Sequence, residues 1–194
     1  MAVTANGRHL ALTGRRGTPP DWVEMARAAL GGRIELDPMS EPIFNEIVRA
    51  EVIYTESEDG LRLPWNASTV FLNPHGGLVV EAWRKLTSEW CTGRTTSAIW
   101  IGFSLEQMSL LAEEEEHPLD FSLLIARKRI SFLGEDLKPL GSPTHGNYVV
   151  GIGIPADRFE AAFAGRGRFS HGRYALRAEP PSRAWEDDVF GGVA

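Results

Sequence analysis

Asn73-Pro74-His75-Gly76 is the stretch whose residue types and order could do chemistry most directly. A proline fixes its own φ and restricts the residue before it, so the asparagine carboxamide is aimed at one point. The carboxamide oxygen can accept a hydrogen bond from an amino group, and the proline carbonyl can accept a second. Two acceptors on one amine hold it pyramidal and free its lone pair to attack an electrophilic carbon in line. That is catalysis by positioning, and it needs no strongly basic residue. The competing reading is a plain turn, because Asn-Pro and Gly-Gly are ordinary turn dipeptides.

Asp37-Pro38-Met39-Ser40 is the second such stretch. An acid at the end of an early strand can bind a ribose hydroxyl or an amino group of a nucleoside. The alternative is an Asp that caps the next turn. Asp59 stands at another loop that follows a strand. No Gly-x-Gly-x-x-Gly occurs, which argues against a dinucleotide or Walker-type phosphate site. His75, His117, His145 and His171 lie in or beside loops, and a metal-dependent hydrolase could gather such residues. No pair has metal-ligand spacing, so no metal is expected. Arg127-Lys128-Arg129 is a candidate phosphate patch, with a solvated strand end as its alternative. Arg166, Arg168 and Arg173 form a later basic group, and Glu113 to Glu116 read as a solvated acidic run.

The elements that must position these residues follow from hydrophobic pattern and breakers. Thr18-Pro19-Pro20-Asp21 opens a helix, with proline in the first turn and Thr or Asp as cap. Trp22, Val23, Met25, Ala26, Ala29 and Leu30 give its apolar face, and Gly31-Gly32 stops it. Strands are expected at 33–36, 51–55, 69–72, 97–103, 121–125, 129–133 and 147–154, the fifth and sixth being either separate strands or the two parts of one bent strand. Helices are expected at 42–48, 78–91, 105–115 (capped by Ser104) and 157–164. Strands alternating with helices predict an α/β fold, a mostly parallel sheet with helices on both faces. In such sheets ligands bind outside the carboxyl ends of the strands, where Asp37, Asp59, Asn73 to Gly77 and Ser104 fall.

The chain has 194 residues, 43% apolar and 24% charged, enough for one domain with a proper core. Residues 1–17 read as a flexible N-terminal arm, 18–165 as the domain, and 166–194 as an extended or partly disordered tail. One cysteine, Cys91, excludes an internal disulfide. No apolar run approaches a membrane span and no signal peptide is evident, so a cytoplasmic protein is expected, with no membrane partner. The net charge of −6 argues against permanent residence on nucleic acid, but not against visits through a local basic patch.

In order and spacing these motifs resemble the phage-type DNA N-6-adenine methyltransferase family. The likeness runs through Thr18-Pro19-Pro20-Asp21-Trp22, Ile34-Glu35-Leu36-Asp37-Pro38, Tyr54-Thr55, Asp59-Gly60-Leu61 and Trp65. It continues through Val70-Phe71-Leu72-Asn73-Pro74, Ala82-Trp83, Arg129-Ile130-Ser131-Phe132 and Ser142-Pro143-Thr144-His145-Gly146, so that it spans residues 18–154. The resemblance implies a compact Rossmann-like class I methyltransferase fold and S-adenosylmethionine as cofactor, a molecule that needs no phosphate loop. The implied reaction is methyl transfer to the exocyclic amine of adenine in DNA. Thr18 and Pro19 would lie beside the cofactor, with Asp37, Pro38, Met39, Ser40 and Asp59 contributing to its site. Asn73, Pro74, His75 and Gly76 would form the catalytic centre, Asn73-Pro74 holding the amine. Arg127, Arg129 and His145 would meet the DNA.

The chain departs from the family twice. Where the family has Asn-Pro-Pro and then an aromatic residue that stacks on the flipped base, this chain has His75 and Gly76. Either His75 or a distant ring such as Trp22, Trp65 or Phe103 replaces it, or the substrate is not adenine in DNA, or the domain is a catalytically degenerate binding or regulatory module of phage origin. The turn after Asp37 also lacks the glycine common in class I methyltransferases.

Overall fold

In the computed structural model, residues 16–108, 111, 120–141 and 145–173 are described. The fold is α/β, built on a seven-stranded sheet in the order β2-β1-β3-β4-β6-β5-β7. Helix α1 (Pro20–Ala29) is followed by β1 (Leu36–Asp37), α2 (Pro42–Val48), β2 (Val52–Ile53) and β3 (Thr69–Leu72). A 3-10 turn (Gly76–Leu78) leads into α3 (Val79–Cys91), then β4 (Ser97–Gly102), β5 (Asp120–Ala126), β6 (Tyr148–Ile152), α4 (Ala156–Ala162) and β7 (Gly167–Arg173).

Alternation along the strands explains why both faces carry helices. Phe71, Ile99, Ile101, Leu124 and Val149 pack with Trp22, Val23 and Ala26 of α1 and Phe159 of α4. Their neighbours Val70, Leu72, Ala98, Trp100 and Val150 pack with Val79, Trp83 and Leu86 of α3. Successive side chains point to opposite faces, so a strand such as β4, buried nearly throughout, must be covered on both sides. Trp83 and Trp100 meet edge to face, with centroids 5.2 Å apart.

The sheet is mixed where a mostly parallel one was expected. β2, β1, β3 and β4 pair in parallel. β6 lies antiparallel to both β4 and β5, and β7 lies antiparallel to β5. Strands β1 to β5 therefore all point one way. The change follows from the connections. Parallel neighbours need a crossover, whereas antiparallel neighbours can be joined directly. Among the described residues of the β5–β6 link, no helix intervenes.

Residues 129–133 differ from expectation. They alternate, with Ile130 and Phe132 buried, but form no strand; Leu133 alone makes isolated bridges, to Gly17 and Pro139. The segment from 166, expected to be an extended or partly disordered tail beyond the domain, instead begins with β7 at the sheet edge, and residues beyond 173 lie outside the described residues. The arm expected over residues 1–17 is described only at Arg16 and Gly17, where Gly17 exchanges backbone hydrogen bonds of 2.9 and 2.8 Å with Leu133. Helix α1 begins without a side-chain cap. Instead Asp21 in its first turn meets the Arg166 guanidinium at 3.0 Å, and that guanidinium lies over the Trp22 ring. The helix expected at 105–115 and the run Glu113 to Glu116 fall largely outside the described residues. No helix among the described residues is long and apolar enough to cross a membrane.

Gly102 opposes Tyr148 across the β4–β6 pair, and a β-carbon there would stand 2.1 Å from the tyrosine ring. Tyr148 is fully buried and cannot swing away into solvent. Gly102→Ala is expected to cost about 1–3 kcal/mol or more through overpacking, read as a lower urea midpoint. An unchanged midpoint would contradict this packing.

Candidate functional site

The chain runs from β1 to β2 on one side, then returns past β1 to β3 on the other. The strand order reverses between β1 and β3, and ligands of open α/β sheets bind at such a reversal, beyond the carboxyl ends of the strands. Asp37 ends β1 and Asn73 follows β3, so the two leading candidates from the sequence flank that point.

Asp37 is only 4% exposed. Its Oδ1 accepts from Met39 N at 3.2 Å, and its carboxyl group also interacts with the Ser40 hydroxyl. Burial pushes its pKa up to about 7, against the smaller opposing effects of the Met39 N–H and the nearby Ser40 hydroxyl. The loop after Asp37 is clamped from outside. Tyr54 N donates to the Asp37 carbonyl at 3.1 Å, and Ser40 N donates to the Tyr54 carbonyl at 3.0 Å. Gly60 closes over the loop, and a β-carbon there would stand 1.9 Å from the Pro38 carbonyl oxygen. The Gly60 carbonyl in turn accepts from the buried Trp65 indole at 2.7 Å. Gly60 thus allows a close backbone approach to Pro38 that a side chain would block.

Asn73 Nδ2 donates to the Arg16 carbonyl at 2.7 Å. A carbonyl can only accept, so the bond fixes which side of the carboxamide is NH2 and leaves Oδ1 turned away from Arg16. Arg16 is held in turn by the bridge of its neighbour Gly17 to Leu133. Gly17 must be glycine, because a β-carbon would stand 2.5 Å from the Phe44 ring. Pro74 is buried beside Asn73. His75 caps the 3-10 turn, its Nδ1 accepting from Gly77 N at 3.3 Å. Thr18 follows the bridged glycine, is 3% exposed, and its hydroxyl finds no hydrogen-bond partner among the described residues. Pro19 caps α1.

Asp59 is engaged in its own turn. With φ at 55°, its Oδ1 accepts from Leu61 N at 3.3 Å and its Oδ2 meets Arg62 at 3.0 Å. Ser104 hydrogen-bonds Glu106. Arg127, Lys128 and Arg129 are exposed just past β5, at the same end of the sheet as Asn73. Arg168 is exposed on β7 opposite Ile125. His145 is exposed and lies edge to face with Phe103, with centroids 6.0 Å apart. Ser142 to Thr144 fall outside the described residues.

Sequence reasoning missed two positioning groups. Arg16 and Gly17 read as part of a loose arm, since a backbone carbonyl carries no sequence signal. Asn147, 2% exposed, accepts from Ile130 N at 2.7 Å and donates to the Gly102 carbonyl at 3.3 Å. It thereby ties the basic turn to the end of β4. An Asn opening an apolar run was its only trace.

Neither of two cavities is lined by Asp37 or Asn73. One of about 170 Å³ borders Arg33, Glu51 and Tyr54. Another of about 400 Å³ borders Ser122 and His171, where the Ser122 hydroxyl meets His171 Nδ1 at 2.8 Å and His171 Nε2 meets Glu160 at 2.7 Å. Ser122 is 3% exposed, and this chain of bonds ties β5 and β7 to α4. Among the described residues no three His, Cys, Asp or Glu side chains are placed to hold a metal ion.

No family model matches the chain, and no curated protein matches it.

Asp37 also sets a pH dependence. Its pKa in the fold, about 7, lies above the ordinary 3.8, so between these values the folded chain holds the proton more tightly than the unfolded one. Stability therefore falls as pH rises through that window, by up to about 4 kcal/mol at about 1.4 kcal/mol per unit. Asp37→Asn should remove this component. Urea unfolding at pH 5 and pH 8 tests it, and an equal pH response in parent and variant would contradict it.

Proposed function

We propose that this chain is a DNA adenine methyltransferase of phage type, with a compact Rossmann-like class I fold. It transfers a methyl group from S-adenosylmethionine to the exocyclic amine of adenine. The observation that carries the reading is the Asn73 carboxamide at the strand-order reversal, its NH2 engaged by the Arg16 carbonyl and its Oδ1 turned away.

The residues present fit the cofactor. The Thr18 hydroxyl is buried without a partner among the described residues. The Asp37 carboxyl group is buried with only the short local contacts described above, an arrangement suited to accepting from ribose hydroxyls or an amino group. Thr18, Pro19 and the Asp37 to Ser40 loop would hold S-adenosylmethionine, which supplies a methyl group on a positively charged sulfur. Asn73 Oδ1 and the Pro74 carbonyl then accept from the two N–H bonds of the adenine amine. They turn its lone pair out of the ring plane, and water takes the proton that the amine sheds. Orientation of this kind supplies the rate.

The basic turn supports DNA as the partner. Arg127, Lys128 and Arg168 are exposed, and with a net charge of −6 their local concentration must outweigh the long-range repulsion. Binding should weaken steeply with salt.

The substitution of His75-Gly76 for Pro-aromatic favours one other reading, a degenerate module that binds but does not turn over. Incubation with labelled S-adenosylmethionine and unmethylated phage DNA, followed by nucleoside analysis, separates the two. N6-methyladenine is expected from the parent, and Asn73→Ala should lose at least about a hundredfold in turnover while calorimetry still shows cofactor binding. Cofactor heat without methylated product would favour the binding module, and unchanged turnover in Asn73→Ala would remove its assigned role.

A further inference from the structure

We propose that Phe103 supplies the stacking surface for the target base, in the space that a side chain at residue 76 would otherwise fill. The inference rests on the methyltransferase reading above. An amine held by Asn73 belongs to a planar heterocycle, and a base taken out of its helix needs a new surface against its face. His75 is engaged as the cap of the 3-10 turn. Trp22 and Trp65 are 6% and 0% exposed, inside the two core clusters.

Of the rings named from the sequence, Phe103 remains, and it stands at the site. It follows β4, whose Trp100 pairs with Leu72 of β3, so continuing that register brings it level with His75. A β-carbon on Gly76 would meet Cε1 and Cζ of Phe103, both at 3.2 Å. Those atoms are the far end of the ring. The glycine therefore makes room for an aromatic tip brought in from the neighbouring strand. Phe103 is half-buried, and it packs against both core clusters and edge to face with His145, so the ring is held in place before any base arrives. A ring fixed in this way loses little freedom on binding.

The test uses Phe103→Leu, which keeps bulk against the core but has no aromatic face, and Phe103→Trp, which restores one. Thermal melts check that both fold. The probe is a single-stranded oligonucleotide carrying 2-aminopurine, alongside the methyl-transfer assay on unmethylated DNA. Phe103→Leu is expected to weaken probe binding and raise the KM for DNA by about fivefold to a hundredfold, the range for one lost base–aromatic stack. Its affinity for S-adenosylmethionine should not move. Phe103→Trp should recover most of the loss and quench the bound probe, a signature that mere core filling would not give. If the parent transfers methyl groups and Phe103→Leu matches it in KM and probe binding, the stacking assignment is overturned and the methyltransferase reading stands. If the parent neither binds the probe nor transfers methyl groups, both are overturned.

Discussion

A sheet covered on both faces has only its ends and edges left for chemistry. Strand β4 shows the constraint most clearly: Ile99 and Ile101 face α1 and α4, Ala98 and Trp100 face α3, and nothing along the strand reaches solvent except near its start. Polar groups that must meet a ligand are therefore displaced to where the strands stop. Because β1 to β5 share one direction, their stopping points lie at one end of the sheet, and Asp37, Asn73, Phe103 and Arg127 lie at that end although they come from segments far apart in the chain. Parallel direction, more than any single contact, makes a shared site possible.

The polar groups at that end are held mainly by backbone partners. Asn73 is bound to the Arg16 carbonyl, Asn147 to Ile130 N and the Gly102 carbonyl, and Asp37 to Met39 N. Backbone partners move less than long side chains, so each group keeps its direction with little entropy left to lose. Glycines allow the close approaches this requires. Gly17 passes under Phe44 and Gly60 passes over Pro38, and neither position tolerates a β-carbon without displacing its neighbour. The cost falls on Asp37, whose burial opposes its charge until a ligand or a proton compensates.

Long, patterned elements were legible from the residues alone. α2 and β3 have the bounds their patterns predict, and α3 starts one residue later, behind the 3-10 turn. What was not legible depended on partners distant in sequence. β7 contains Gly167 and Gly172 among polar residues and is a strand because β5 presents an unpaired edge to it. Residues 129–133 have the alternation of a strand but find no continuous ladder, since Leu133 meets only Gly17 and Pro139. For the same reason Asn73 and Asp37 could be named from their places after strands, while the groups that orient them could not. A strand end is a local signal; the Arg16 carbonyl that turns the Asn73 carboxamide lies 57 residues away.

His75 and Gly76 each have a task set by what surrounds them in three dimensions. His75 closes the turn that starts α3, and Gly76 leaves the space into which Phe103 reaches. Any side chain at 76 would force Phe103 or the turn to shift by some tenths of an ångström, and Phe103 is braced by two core clusters and by His145. Glycine at 76 and phenylalanine at 103 are therefore one packing solution, shared between adjacent parallel strands. A change at either residue is better judged by the fit of the pair than by a motif read along one strand.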